Sequence, residues 1–195
     1  MNTLIGTGVA VAGAQICTMS EPTAPHETTR KFVLLKDLGI IKVPDDYRHS
    51  TQFGNFLRMY RKKFWRIGSD IDVANFPDPS HVLRPGDKFR VRVFGQAVGV
   101  MSTTTEERMA FLNAQGDVHI GPQGVSLIFE QKRILLPEGS RYISFDKEEC
   151  LWIDDEGRHR VPCMYKSLGG SIELYLGYLG DARREDTFFC CSEVS

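Results

Sequence analysis

The chain has 195 residues, of which 42% are apolar and 25% are charged. This composition is typical of a globular protein, and the length suffices for one hydrophobic core but is short for two. A net charge of −1 and an isoelectric point near 6.5 argue against a dedicated, strongly basic nucleic-acid domain. However, residues 30–68 contain ten Lys or Arg and only three Asp, which predicts one basic region on an acidic body.

Residues 1–29 are predicted to form a flexible N-terminal extension to a single α+β domain over residues 30–195. The apolar stretch LIGTGVAV and the small residues after it imitate a signal peptide, but no Lys or Arg precedes them. The chain contains no apolar run of 18 residues, so we expect no transmembrane segment. We therefore expect a cytoplasmic protein, with secretion as the alternative.

The most distinctive feature is the segment STQFGNFLRMYRKKFWRI, residues 50–67, which contains five cations and no carboxylate. At 100° per residue its apolar side chains share one face, and its cations occupy the rest of the circumference. The pattern predicts an amphipathic helix whose apolar stripe packs on the core. Trp65 falls among the cations of this helix, which are Arg58, Arg61, Lys62, Lys63 and Arg66.

A surface of this kind can bind an anionic partner. Lys and Arg neutralise phosphates, and an exposed Trp offers a flat face on which an unstacked base can stack. The simpler interpretation is that the cations form an ordinary solvated face and that Trp65 packs under a neighbouring element. The two interpretations differ in the solvent exposure of Trp65.

Residues 68–87 contain three prolines and no sustained periodicity, which indicates a long irregular connection. The next segment, KFRVRVF, alternates apolar and cationic residues and predicts a strand. The outer face of this strand would present Lys88, Arg90 and Arg92. We expect these three residues to extend the basic surface if the strand lies beside the helix.

The rest of the chain predicts two further helices followed by a sheet. TTTEERMAFLNAQG has Thr and Glu at the spacing of a capping box and a Gly at its end, and GPQGVSLIFEQKRILL predicts a helix ended by Pro137. After Gly139, five short β-prone runs are separated by turn residues such as 154–157. We predict an α+β fold with a mainly antiparallel sheet and about three helices packed on one face or end.

Three segments, TTTEERMAFL, GPQGVSLIFEQK and YISFDKEECLW, carry a resemblance to known proteins. With them, residues 30–195 resemble a family of small uncharacterised bacterial proteins. The resemblance implies a bacterial, intracellular setting. It carries over no activity and no catalytic or binding residue.

The sequence shows no pattern that predicts a catalytic residue, a cofactor or a metal site. The five cysteines form no C-x-x-C pair, and we expect reduced thiols that serve as small core side chains. In a strand, Cys190 and Cys191 would point to opposite faces. His159 and Cys163 in one strand would be about 13 Å apart, too far for a catalytic pair. A solvated turn explains the acidic run over residues 146–156.

The sequence therefore predicts a non-enzymatic binding protein that contacts an anionic partner, preferably RNA or single-stranded DNA. The predicted contact residues are Arg58, Arg61, Lys62, Trp65 and Arg66, with Lys88, Arg90 and Arg92 as the extension. An acidic protein surface and anionic lipid are alternative partners. Two other classes stay open, namely a small enzyme or ligand-binding protein with a pocket between sheet and helices under residues 68–87, and a self-assembling interaction module.

Overall fold

The computed structural model describes residues 31–73, 75, 79–181 and 183–194. The predicted N-terminal extension lies outside these residues. The described chain forms three α-helices, which are α1 (His49–Tyr60), α2 (Thr105–Ala114) and α3 (Gly121–Lys132). It also forms eight strands, which are β1 (Phe32–Lys42), β2 (Arg66–Ile67), β3 (Lys88–Gln96), β4 (Ser140–Ile143), β5 (Trp152–Ile153), β6 (His159–Lys166), β7 (Ile172–Tyr178) and β8 (Asp186–Glu193).

All of these strands join one sheet, in the order β1-β3-β8-β4-β6-β7-β2, with β5 paired to the first residues of β6. The α+β class is confirmed. The sheet is mixed rather than mainly antiparallel, because β4 runs parallel to β8 and β2 runs parallel to β7. The prediction assumed that strands consecutive in sequence pair with each other. Instead, residues 179–185 carry the chain back from β7 to the far side of β4, where β8 lies between β3 and β4.

The helices cover both faces of the sheet, so the prediction of helices on one face or end is wrong. Phe56 of α1 and Phe129 of α3 lie in one buried core, whereas Leu112 of α2 lies in a second core on the opposite face. The strands supply both cores because their side chains alternate. Cys191 belongs to the first core and Cys190 to the second, so these neighbours do point to opposite faces.

The second and third helices form as predicted, but the end predicted for the third helix at Pro137 is wrong. Thr104 and Glu107 form the predicted capping box at the start of α2, and Gly116 supplies the left-handed stop with a φ of 72°. The third helix ends at Lys132, well before Pro137. The turn at residues 154–157 joins β5 and β6 as a hairpin, and the described part of residues 68–87 contains no helix or strand.

Candidate nucleic-acid interface

The basic aromatic segment is not one helix. The first helix ends at Tyr60, a 3-10 turn spans Arg61–Lys63, and the chain is extended from Phe64 onwards. Trp65 donates its backbone N–H to the carbonyl of Ile172, with an N–O distance of 2.8 Å, just before β2 joins the edge of β7. The helix prediction fails here because aromatic and β-branched residues gain more by pairing with an open strand edge than by continuing a helix. Trp65 is therefore held by a strand edge and not by a helix face.

The indole of Trp65 faces solvent. Its side chain and backbone together retain 73% of their accessible surface, and its neighbour Phe64 is buried against Phe129, with ring centroids 4.8 Å apart. A buried aromatic residue next to a backbone hydrogen bond fixes the chain on both sides of the indole. The backbone that carries the exposed ring is thus held by a strand hydrogen bond and by the buried side chain of Phe64.

The predicted contact cations around Trp65 are exposed and have no carboxylate partner among the described residues. Arg58 donates a hydrogen bond to the side chain of Asn55, with an Nη2–Oδ1 distance of 3.1 Å. Within the described part of the chain, no carboxylate lies within ion-pair distance of Arg58, Arg61, Lys62 or Arg66. We call this surface the basic edge, defined by Arg58, Arg61, Lys62, Lys63, Trp65 and Arg66.

The second cationic row lies elsewhere. Phe89, Val91 and Val93 of β3 face the core under α1 and α3, so the alternate residues of β3 face away from α1. Arg90 forms an ion pair with Asp37, whose pKa is lowered by this hydrogen bond. Arg92 donates to the carbonyl of Gln115 at 3.3 Å. Lys88, Arg90 and Arg92 therefore do not extend the basic edge, and two of the three already have partners.

Two small cavities adjoin the basic edge on either side of Gly68. One, of about 130 Å³, is lined by Arg61 and Ser69, and the other, of about 290 Å³, is lined by Arg66, Tyr175 and Arg183. Arg183 forms an ion pair with Asp181 at 2.9 Å. No pattern in the sequence pointed to Arg183, because this residue approaches the basic edge only through the return of the chain from β7 to β8.

A larger cleft, of about 760 Å³, lies at another place in the molecule. The start of α2, the β5–β6 hairpin and the turn after β7 form its walls. None of the described residues of 68–87 lines this cleft, whereas Ser80, His81 and Arg84 of that loop line a separate cavity of about 590 Å³. The lining of the larger cleft includes His159, which lies 2.8 Å from a carboxylate oxygen of Glu148. The sequence could not reveal this pair, since a turn and a hairpin separate the two residues.

The described cysteines are free thiols, of which Cys163, Cys190 and Cys191 are buried and Cys150 is partly exposed. Burial raises the pKa of Cys163 to about 12 and that of Cys190 to about 11, so both are protonated at neutral pH and unreactive. The described residues also contain no cluster of three or more His, Cys, Asp or Glu side chains that could hold a metal ion.

No protein-family model, curated protein or solved structure significantly matches this chain. None of the helices in the described residues combines the length and apolar content that a bilayer crossing needs. The chemistry of the basic edge and of the cleft therefore has to be argued from their geometry.

Proposed function

We propose that this protein binds single-stranded nucleic acid, either RNA or single-stranded DNA, through the basic edge. The observation that carries the proposal is the 73% exposure of Trp65 among cations that have no carboxylate partner in the described chain. An exposed large aromatic residue beside unneutralised cations has the two elements of a single-strand site, which are a stacking surface for a base and positive charge for the backbone.

The position of the basic edge favours a single strand over a duplex. The strand β2 is the last strand of the sheet, and its exposed residues form a narrow rim with one indole, whereas duplex readers insert a helix or a ribbon into a groove. A flexible single strand can place one base on Trp65 and its neighbouring phosphates on the flanking cations. Three side chains are suited to those phosphates by exposure and position, and they are Arg61, Lys62 and Arg66.

Fluorescence anisotropy of a labelled single-stranded oligonucleotide, as oligo-U and as oligo-dT, tests the proposal. If these three cations each contact a phosphate, the logarithm of the association constant should fall with the logarithm of salt concentration with a slope of roughly −2. Poly-glutamate and anionic vesicles serve as competitors. Equal competition by poly-glutamate would assign the surface to acidic proteins, and equal competition by vesicles would assign it to lipid.

Two substitutions separate stacking from charge. Trp65→Ala should weaken binding by roughly 5- to 100-fold, since stacking on an aromatic side chain is worth about 1 to 3 kcal/mol per base, and Trp65→Phe should retain part of the affinity. Met59→Ala is the matched control, because Met59 is also an exposed apolar residue of this segment, at 61%, but has no aromatic face. Unchanged affinity in Trp65→Ala would reject the stacking role.

Lys36→Gln controls for non-specific charge. Lys36 is exposed on β1, at the opposite edge of the sheet from β2. Its loss should leave the affinity nearly unchanged, while Arg66→Gln should weaken binding and reduce the salt slope by about 1. Equal losses in the two variants would mean that binding follows total charge and not the basic edge.

A further inference from the structure

The 760 Å³ cleft has the architecture of a small-molecule site, and it lies beyond the proposed function. Its volume falls within the range of about 300 to 1,000 Å³ that is usual for ligand pockets. Its walls come from four separate parts of the chain and combine apolar surface with a few polar groups. The polar groups that the argument uses are Glu106, Glu148, Arg158, His159 and Asp181.

The central feature is a histidine paired with a carboxylate. Nδ1 of His159 lies 2.8 Å from Oε1 of Glu148, and a negative charge at this distance favours the tautomer with the proton on Nδ1. The lone pair is then on Nε2. No described residue makes a hydrogen bond to Nε2, and His159 lines the cleft. An imidazole with its proton on Nδ1 beside a carboxylate and its Nε2 open to a cleft has the arrangement of a general base.

The backbone around His159 is held on two sides. His159 pairs with Ile153 in the β5–β6 ladder, and its carbonyl accepts a hydrogen bond from the N–H of Leu179 at 2.9 Å. Glu148 lies in the 3-10 turn Glu148–Cys150, immediately before β5. The proton acceptor therefore rests on a strand, and its carboxylate partner rests on the turn that leads into the neighbouring strand.

The cleft offers an anion no cation that lacks a carboxylate neighbour among the described residues. The guanidinium of Arg158 lies 3.1 Å from an oxygen of Asp154 and also pairs with Glu156, and His159 lies beside Glu148. Of the three lining carboxylates, Asp181 pairs with Arg183 and Glu148 with His159, which leaves Glu106 without a cation in the described part of the chain. We propose that the cleft binds a neutral or cationic small molecule and that Nε2 of His159 accepts a proton from it, with Glu148 as a positioning residue.

The neutral probe 5-nitrobenzisoxazole tests proton acceptance without any co-reactant. Nε2 of His159 takes the proton from the ring carbon, the electron pair of that C–H bond forms the nitrile, and the N–O bond breaks with its electrons on oxygen. The product is a coloured cyanonitrophenolate, which absorbance follows directly. The full chain should accelerate this reaction above a solution of imidazole at equal concentration, and a rate no higher than imidazole would overturn the proposal.

His159→Asn should lower the rate by about 100-fold, the lower end of what a positioned base contributes. Glu148→Gln should lower it by roughly tenfold, as for partners that orient a functional histidine, and it alters a side chain that is 64% exposed, so folding is retained. The ¹⁵N shifts of the His159 ring should show the proton on Nδ1 in the unaltered chain. A different tautomer, or an unchanged rate in Glu148→Gln, would remove the role of Glu148.

His81→Asn is the matched control. His81 and Glu193 have side-chain exposures of 25% and 65%, nearly those of His159 and Glu148, but their N–O distance is 3.5 Å and they line a different cavity. The rate of His81→Asn should equal that of the unaltered chain. Equal losses in His81→Asn and His159→Asn would show that any exposed histidine reacts. Neither variant should change oligonucleotide affinity, so this test and that of the basic edge fail independently.

Discussion

Two groups of arginines in this protein differ in what surrounds them. Arg108 and Arg141 are buried on the α2 face of the sheet, and both pair with Asp186, which is fully buried. Arg108 also donates to the carbonyl of Arg183 at 2.7 Å, and Arg141 donates to the carbonyl of Asp181 at 2.9 Å. These two arginines therefore hold the segment that returns the chain from β7 to β8.

The cations of the basic edge have the opposite surroundings. They are exposed, the described chain provides no carboxylate for Arg61, Lys62 or Arg66, and their removal would break no internal ion pair. The connection from β7 to β8 joins two parallel strands and is shorter than the dozen or more residues that such connections usually take. Internal polar contacts are therefore needed to hold it. The exposed basic edge needs no such contacts. The arginines with a buried carboxylate partner therefore maintain this fold, whereas the exposed cations of the basic edge are available for binding.

The largest effect is expected from Asp186→Asn. This substitution leaves two buried guanidinium groups without their carboxylate, and removal of one partner of a buried ion pair typically costs about 3 to 5 kcal/mol of stability. Urea denaturation monitored by circular dichroism measures the free energy of unfolding. The exposed pair of Lys42 and Asp45 supplies the control, and Asp45→Asn should cost less than about 1 kcal/mol. Similar costs for the two variants would contradict the comparison.

Local signals in the sequence predicted most of the elements correctly. The Thr104 cap, the alternation in β3 and the turn at 154–157 each depend on a few neighbouring residues, so they could be recognised without knowledge of the rest of the chain. The position of β8 and the placement of α2 on the second face could not, because they depend on a return of the chain that no local pattern encodes. The predicted end of α1 was wrong, because residues that would otherwise suit a helix pair with the open edge of β7.

The candidate sites also combine features that a local sequence pattern predicts with features that depend on the fold. The place of Trp65 among cations could be predicted from the sequence, but its exposure could not, since a tryptophan in such a pattern faces either solvent or a second element. The separation of Arg90 and Arg92 from the basic edge could not, because it depends on which face of the sheet carries α1. The pairing of His159 with Glu148 depends on a hairpin register and a 3-10 turn, and sequence spacing contains neither.

A smaller effect on stability is expected from the titration of His119, which is buried. Nδ1 of His119 lies 2.6 Å from an oxygen of Asp117, and Nε2 lies 2.9 Å from the side-chain oxygen of Asn113. The Nδ1–H is poorly aligned with Asp117, so this contact has the character of an ion pair more than of a hydrogen bond. Burial alone would lower the pKa of His119, but the Asp117 carboxylate raises it above the usual 6.5.

This pKa shift predicts a pH dependence of stability. A histidine with a raised folded-state pKa contributes stability that is fully present below pH 6.5 and is lost as the pH rises through its folded-state pKa. Two-dimensional NMR of the imidazole gives that pKa, and urea denaturation at several pH values gives the stability. The dependence should vanish in His119→Asn, which keeps a residue tolerant of the left-handed φ of 49°. A His119 that titrates below 6.5 would mean that burial outweighs the carboxylate.

The smallest effect on stability is expected from removal of the basic edge itself. Combined substitution of four cations by Gln, at Arg58, Arg61, Lys62 and Arg66, should change the free energy of unfolding by about 1 kcal/mol or less. Solvent-exposed charges without partners contribute little to stability, and their mutual repulsion is relieved. The same variant should lose measurable oligonucleotide binding at low salt. A cost of several kcal/mol would mean that these cations help to hold the fold, and the distinction between partnered and available charge would then not apply to this protein.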